Sequence, residues 1–138
     1  MSDRKPRPRP AVQTLKSNSP LFWFTAIIPL AIILIGINFI LNPIGASTGF
    51  GIPTNDPAAF PFMWIKGIRD IFSGLVVLWA LWNGDRQIVA TLFAFATIIP
   101  VGDGFVVWGR LGFKSPIFIH WGTAVYMGVV SRLLFGGT

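Results

Sequence analysis

The sequence predicts an all-α fold, namely a polytopic transmembrane four-helix bundle with both chain ends on the inner side of the membrane. Four apolar segments of about 20 residues each match the length that crosses the hydrocarbon core of a bilayer. Hydrophobic residues make up 53% and charged residues 12% of the chain, and its mean hydropathy is +0.67. A soluble chain of 138 residues cannot bury that much apolar surface. We therefore expect a multi-pass integral membrane protein whose first partner is the lipid bilayer.

Residues 1–20 are predicted to form a disordered, basic tail on the cytoplasmic side. Arginine alternates with proline there, which favours an extended and solvated chain. The tail is short, lacks interleaved aromatic residues and adjoins an apolar segment. Its charge therefore predicts contact with anionic lipid headgroups, and nucleic acid is not expected as a partner.

The membrane domain is predicted to cover residues 21–135 and to contain four helical spans. The first span runs for 21 residues without a charge, which is too long for the apolar core of a signal peptide. The Asn-Gly dipeptide at Asn83 marks a tight turn, which forces the neighbouring spans to be antiparallel. The predicted spans are residues 21–41, 62–82, 87–107 and 117–135.

The segment Asn42–Pro61 is predicted to be a loop, because it contains four prolines and three glycines. Its apolar Phe50 and Ile52 predict that it folds back onto the mouth of the bundle. In the second span, Gly67 and Gly74 are predicted to allow close packing between helices.

The distribution of Lys and Arg predicts the orientation of the chain. Five basic residues of the tail would share one side with Arg86 and Arg132, whereas Arg110 and Lys114 would lie on the other. Basic residues accumulate on the cytoplasmic side of membrane proteins. Both chain ends are therefore predicted to be cytoplasmic.

Three charged residues lie inside the second span, where a membrane helix normally carries none. A charge at mid-bilayer costs about 2.5–3.5 kcal/mol, so Lys66, Arg69 and Asp70 must be shallow, paired or hydrated. Helical geometry places the three, with Ser73, within an arc of about 100°. A Lys66–Asp70 ion pair is allowed by their i, i+4 spacing.

The predicted threading brings further polar residues to the outer half of the membrane, and we predict one polar pocket there. Asp70, Asp103 and His120 are the candidate catalytic residues, because histidine titrates near neutral pH and exchanges protons with carboxylates. Arg69, oriented by Asp70, is expected to hold or polarise an oxygen of the ligand. The candidate ligand-binding residues are Asn38, Lys66, Arg69 and Ser73.

This pocket predicts a site that binds, and in one version transforms, a small hydrophobic oxygen-bearing molecule by isomerase- or cyclase-like acid–base chemistry. The alternative is a non-catalytic membrane subunit or partner-binding protein whose charged cluster only locks the helices. A homo-oligomer or another membrane partner stays open. Ion conduction is disfavoured because Ser73, Thr91 and Ser131 are the only polar candidates deeper in the membrane. One histidine and no cysteine make a poor metal site, and no metal or cofactor is expected.

Three motifs and a histidine stand out along the apolar part of the chain: GFGIP at Gly49–Pro53, KGIRDIFSGL at Lys66–Leu75, PVGDGFVV at Pro100–Val107, and His120. Together they resemble a family of small four-span membrane proteins of unknown function from bacteria and fungi, which is distantly similar to the DoxX-like group. The resemblance covers residues 29–134 and implies a bacterial plasma membrane or a fungal endoplasmic reticulum, but no activity. It implies that the family pattern includes Gly67, Arg69, Asp70, Gly102, Asp103 and His120.

Overall fold

The computed structural model describes residues 14–136, and in this range the chain is helical, as predicted. A short 3₁₀ turn, Pro57–Ala59, precedes the third helix. The fourth and fifth helices follow one another with only Thr97 between them. The helices are α1 (Pro20–Leu41), α2 (Pro43–Phe50), α3 (Phe60–Trp82), α4 (Arg86–Ala96), α5 (Ile98–Leu111) and α6 (Ser115–Phe135).

Three helical segments are long and apolar enough to cross a membrane: α1, the α4–α5 rod Arg86–Leu111, and α6. This finding supports the prediction of an integral membrane protein. Helix α3 is 23 residues long. Because three of its residues are charged, its length and composition alone do not qualify it as a span.

The bundle consists of two well-packed helix pairs, and the α4–α5 rod counts as one member of the second pair. Few contacts join the two pairs. Helix α1 packs along α3, and α6 packs against both α4 and α5. Glycines allow α1 and α3 to approach closely: a Cβ atom on Gly67 would lie 2.5 Å from the carbonyl oxygen of Gly36, and one on Gly74 would lie 2.6 Å from that of Pro29. The predicted packing role of Gly67 and Gly74 is therefore confirmed.

The two ends of the bundle differ. At one end, called the turn end, the α3–α4 turn meets the N-terminal segment and the end of α6. There the backbone N–H of Leu15 donates to the carbonyl of Gly84 at 2.9 Å, and Arg86 donates to the carbonyls of Leu133 and Leu134 at 2.7 and 2.8 Å. The opposite end, called the α2 end, carries α2, the starts of α3 and α6, and the end of α5.

Part of the predicted disordered tail is folded. Thr14 forms a β-bridge with Asp85, and the side chain of Leu15 is buried in the core at the turn end. The reason is that Leu15 is apolar and covers core residues that the turn would otherwise leave open to water. The rest of the predicted tail, residues 1–13, lies outside the described residues.

The segment predicted as a loop contains helix α2, and its prolines and glycines supply the start and stop signals. Asn42 caps the helix by accepting a hydrogen bond from the N–H of Gly45 at 3.1 Å. Pro43 occupies the first helical position, where its missing N–H costs nothing. Gly51 ends the helix with a φ of +98°, a left-handed conformation that favours glycine.

The third span is predicted as one continuous helix, but the structure divides it at Thr97. Pro100 has no N–H to pair with the carbonyl of Ala96, and its ring crowds that carbonyl.

The apolar core lies at the turn end of the bundle. Leu81, Val89, Phe93 and Leu134 are each no more than 2% exposed there. Toward the α2 end this core gives way to a cavity between the two helix pairs.

Candidate functional site

A cavity of about 370 Å³ lies between the two helix pairs, and residues of all six helices line it. Its volume falls within the range of small-molecule sites, about 300–1,000 Å³. Along α1 the lining runs from Ile28 to Phe39, which corresponds to about 16 Å at 1.5 Å of rise per residue. The cavity is therefore elongated along the axis of the bundle.

The polarity of the cavity wall changes along its length. Nearest the turn end the wall is apolar, with Ile28, Val77, Phe93 and Met127. The polar lining residues all lie nearer the α2 end, so the cavity has an apolar interior and a polar end. These residues are Asn38, Lys66, Asp70, Ser73, Asp103, His120 and Thr123.

Lys66 and Asp70 form an ion pair across one turn of α3. The side chain of Asp70 is 5% exposed and that of Lys66 is 20% exposed. The Lys66 Nζ atom also lies 4.5 Å from the ring centroid of Phe39 and 5.1 Å from that of Phe50, within range of cation–π attraction. One carboxylate and two aromatic faces thus hold the ammonium group at the polar end of the cavity.

Phe50 holds the ring of His120 in place from α2. The His120 Nε2 atom lies 2.9 Å from the carbonyl oxygen of Phe50. Because a carbonyl oxygen can only accept, Nε2 carries a proton and donates it, and Nδ1 is an acceptor when the imidazole is neutral. The Phe50 ring also packs edge to face on the imidazole, with 4.6 Å between centroids. These contacts confirm that Phe50 folds back onto the bundle.

Asp103 lines the cavity from α5 and is partly exposed. Within residues 14–136 its carboxylate makes no hydrogen bond or ion pair, although Lys66 attracts it electrostatically and Asp70 repels it. The next residue, Gly104, packs directly against the indole of Trp121, where any side chain would overlap the ring. This contact fixes the rotation of α5 against α6 and thereby the direction of Asp103.

Arg69 is the one predicted site residue that does not line the cavity. Its side chain is exposed beside the cavity, one 100° step around α3 from Asp70. Asp70 pairs with Lys66 and not with Arg69, so Lys66 takes the place in the cavity wall that was expected for Arg69. The structure brings together the other six: Asn38, Lys66, Asp70, Ser73, Asp103 and His120.

Sequence analysis missed Phe39 and Phe50 as parts of the site. The chain has 13 phenylalanines, most of which a membrane protein would place against lipid. Periodicity offers no signal that separates these two from the others. The role of Phe50 follows from the contact of α2 with His120, and that of Phe39 follows from its contacts with Lys66 and Phe50.

The arrangement can bind an oxygen atom through the Lys66 ammonium group and move a proton through Asp103 or His120. Within residues 14–136 no group of three or more His, Cys, Asp or Glu side chains is placed to hold a metal ion. The side chains of the site offer hydrogen bonding, charge and proton transfer.

Comparison with known proteins agrees with part of the predicted resemblance. No curated protein and no solved structure matches the chain. A family described as a domain of unknown function, DUF4267, matches residues 29–134, which is most of the chain and includes nearly all of the cavity wall. The family description carries no activity, and it agrees with the expectation of an uncharacterised family. The chain belongs to the DUF4267 family.

Proposed function

We propose that the cavity binds a small hydrophobic molecule that carries an oxygen, and that the protein transforms this molecule by acid–base chemistry of the isomerase or cyclase type. The supporting observation is the apolar interior with Lys66, Asp70, Asp103 and His120 gathered toward one end. Small-molecule sites are mostly apolar and use a few polar groups to fix orientation. A cluster that served only to lock the helices would instead fill the space between them.

Each polar residue has a role in this proposal. Lys66, held by Asp70, donates a hydrogen bond to the ligand oxygen and stabilises negative charge that develops there. Asp103 and His120 exchange a proton with the ligand, because imidazole titrates near neutral pH and its Nδ1 can accept. Asn38 orients the polar end of the ligand.

The proposal includes four membrane spans, with α3 as the second, and places both chain ends in the cytoplasm. The charges of Lys66 and Asp70 are tolerable because they pair and line the cavity. The excess of Lys and Arg in the N-terminal sequence, together with Arg86 and Arg132, supports this orientation. The α2 end then faces the periplasm of a bacterium or the lumen of the fungal endoplasmic reticulum. We also propose that the chain is distantly similar to the DoxX-like group.

Cysteine labelling tests the threading, because the chain has no cysteine of its own. Asn55→Cys and Asn83→Cys each place a thiol at an exposed position, the first at the α2 end and the second at the turn end. We expect an impermeant maleimide to label Asn55→Cys from outside the cytoplasm and Asn83→Cys only from the cytoplasmic side. Labelling of both variants from the same side would contradict the four-span topology.

A second candidate function is that of a non-catalytic membrane subunit or partner-binding protein. It is favoured by the fact that Lys66, Asp70 and His120 already contact other groups of the chain, as residues of a structural network do. In that case the protein acts through a second copy or another membrane protein, and the cavity holds no specific ligand.

Blocking the cavity separates the two functions. Ala96 lines the cavity, whereas Ala94 on the same helix is exposed, so Ala94→Phe is a matched control for Ala96→Phe. We expect untargeted lipid and metabolite analysis to find a hydrophobic, oxygen-bearing compound with the purified wild type and Ala94→Phe, and to find it depleted from Ala96→Phe. The same compounds in all three preparations would leave only the non-catalytic function.

A further inference from the structure

The hydrogen bonds that the cavity wall already makes indicate what its ligand must supply. Ser73 Oγ donates to the carbonyl of Arg69 at 2.8 Å, and Thr123 Oγ1 donates to the carbonyl of Ile119 at 2.7 Å. A hydroxyl group has one proton, so each of these oxygens can now only accept. Both side chains therefore present acceptors to the cavity.

His120 and Asp103 add two more acceptors. His120 donates its Nε2 proton to the carbonyl of Phe50, so in the neutral ring the Nδ1 lone pair is an acceptor. An ionised carboxylate has no proton to donate, and within the described part of the chain Asp103 receives no hydrogen bond. Four side chains of the cavity wall thus present acceptors to a ligand: Ser73, Thr123, Asp103 and, in its neutral form, His120.

Fewer side chains of the same wall can donate. Within residues 14–136 they are the Asn38 amide and the Lys66 ammonium. The Lys66 ammonium has three protons, and one of them goes to Asp70, which also offsets its charge. Within residues 14–136 no cation forms an ion pair with Asp103, so its carboxylate would repel an anionic ligand in this partly desolvated cavity. The wall favours a ligand that donates a hydrogen bond and carries no negative charge.

We propose that the ligand oxygen is a hydroxyl group, so that the site takes a hydrophobic alcohol and excludes carboxylates and esters. This inference rests on the proposed function of the cavity. A hydroxyl oxygen accepts a hydrogen bond from Lys66 while it donates its own proton to an acceptor such as Asp103, so one atom satisfies both kinds of wall group. An ester offers only acceptors, and a carboxylate adds a like charge. The apolar interior takes the hydrocarbon part.

Three radiolabelled probes with the same chain length separate the head groups. They are 1-dodecanol, methyl dodecanoate, and dodecanoate at about pH 8, where the acid is ionised. We expect the full-length purified protein to bind dodecanol about tenfold or more tightly than either of the others, since they lose a hydrogen bond to a charged group. Equal or tighter binding of the ester or the carboxylate would overturn the hydroxyl assignment and leave the cavity function standing.

A pair of variants assigns the selectivity to Asp103. Asp103→Asn supplies a donor and removes the charge, so we expect it to bind dodecanol about tenfold more weakly and to gain affinity for dodecanoate. Asp56→Asn, which removes a carboxylate from an exposed position in the segment between α2 and α3, should keep the wild-type order. Wild-type selectivity in Asp103→Asn would overturn the inference.

A different result would contradict the proposed function of the cavity itself. If no probe binds saturably, and wild type and Ala96→Phe retain the same amounts, then the cavity is not a ligand site. Because the comparison of the three probes uses the wild-type protein, it decides the head group even where Asp103→Asn does not fold.

Discussion

Replacing Asp70 by asparagine is expected to lower the free energy of unfolding by about 3–5 kcal/mol, the usual cost of removing one partner of a buried ion pair. The side chain of Asp70 is 5% exposed, and its partner Lys66 lies between two phenylalanine rings. With Asp70→Asn, the ammonium group keeps its cation–π contacts but loses its counter-charge. Unfolding of the detergent-solubilised protein by heat or denaturant measures the loss.

Asp56→Asn is the matched control, because Asp56 is exposed and a charge there contributes little to stability. A double variant, Lys66→Met with Asp70→Asn, removes both charges, and we expect it to recover most of the stability that Asp70→Asn alone loses. If Asp70→Asn and Asp56→Asn unfold alike, water and not Asp70 is what solvates the Lys66 ammonium group.

Much of the candidate site could be predicted from the sequence. The helical period gives the face of each residue, and the order of the helices gives the end of the bundle at which it lies. Asn38, Asp103 and His120 come from three different helices, yet all three line one cavity. Arg69 shows the limit of this reasoning. Lys66, Arg69 and Asp70 spread over an arc of about 100° around the axis of α3. This arc is no wider than the angle between two neighbouring residues of a helix. The pattern could therefore not decide whether Lys66 or Arg69 shares the wall with Asp70.

The remaining features depend on contacts between segments that are distant in the chain. Phe50 reaches Lys66 and His120 only because α2 folds back across the bundle. Leu15 is ordered because it meets the turn at Gly84. The division of the third span is different, since Pro100 is a local signal that the hydrophobic pattern obscures. The length of an apolar segment predicts that the segment is helical, but it does not predict whether the helix is continuous.

Replacing His120 by glutamine is expected to spare stability and to abolish the cellular phenotype of the protein. The glutamine amide can donate to the carbonyl of Phe50, as Nε2 of His120 does. It cannot titrate between about pH 5 and 8, as an imidazole can. The loss of general acid–base catalysis lowers a rate by about 10²–10⁴-fold. Complementation of a deletion strain measures the phenotype, and thermal unfolding of the same variant measures stability.

His120→Ala is the control that loses both the hydrogen bond to Phe50 and the titrating group. It should therefore lower the stability as well as abolish the phenotype. Full complementation by His120→Gln would remove the acid–base role and leave ligand binding through Lys66 as the function of the cavity. A fall in stability that matches the fall in phenotype would mean that His120 serves the fold by holding Phe50 and α2 in place. Loss of the phenotype at unchanged stability points to proton transfer, because glutamine keeps the hydrogen bond to Phe50 and a similar side-chain length.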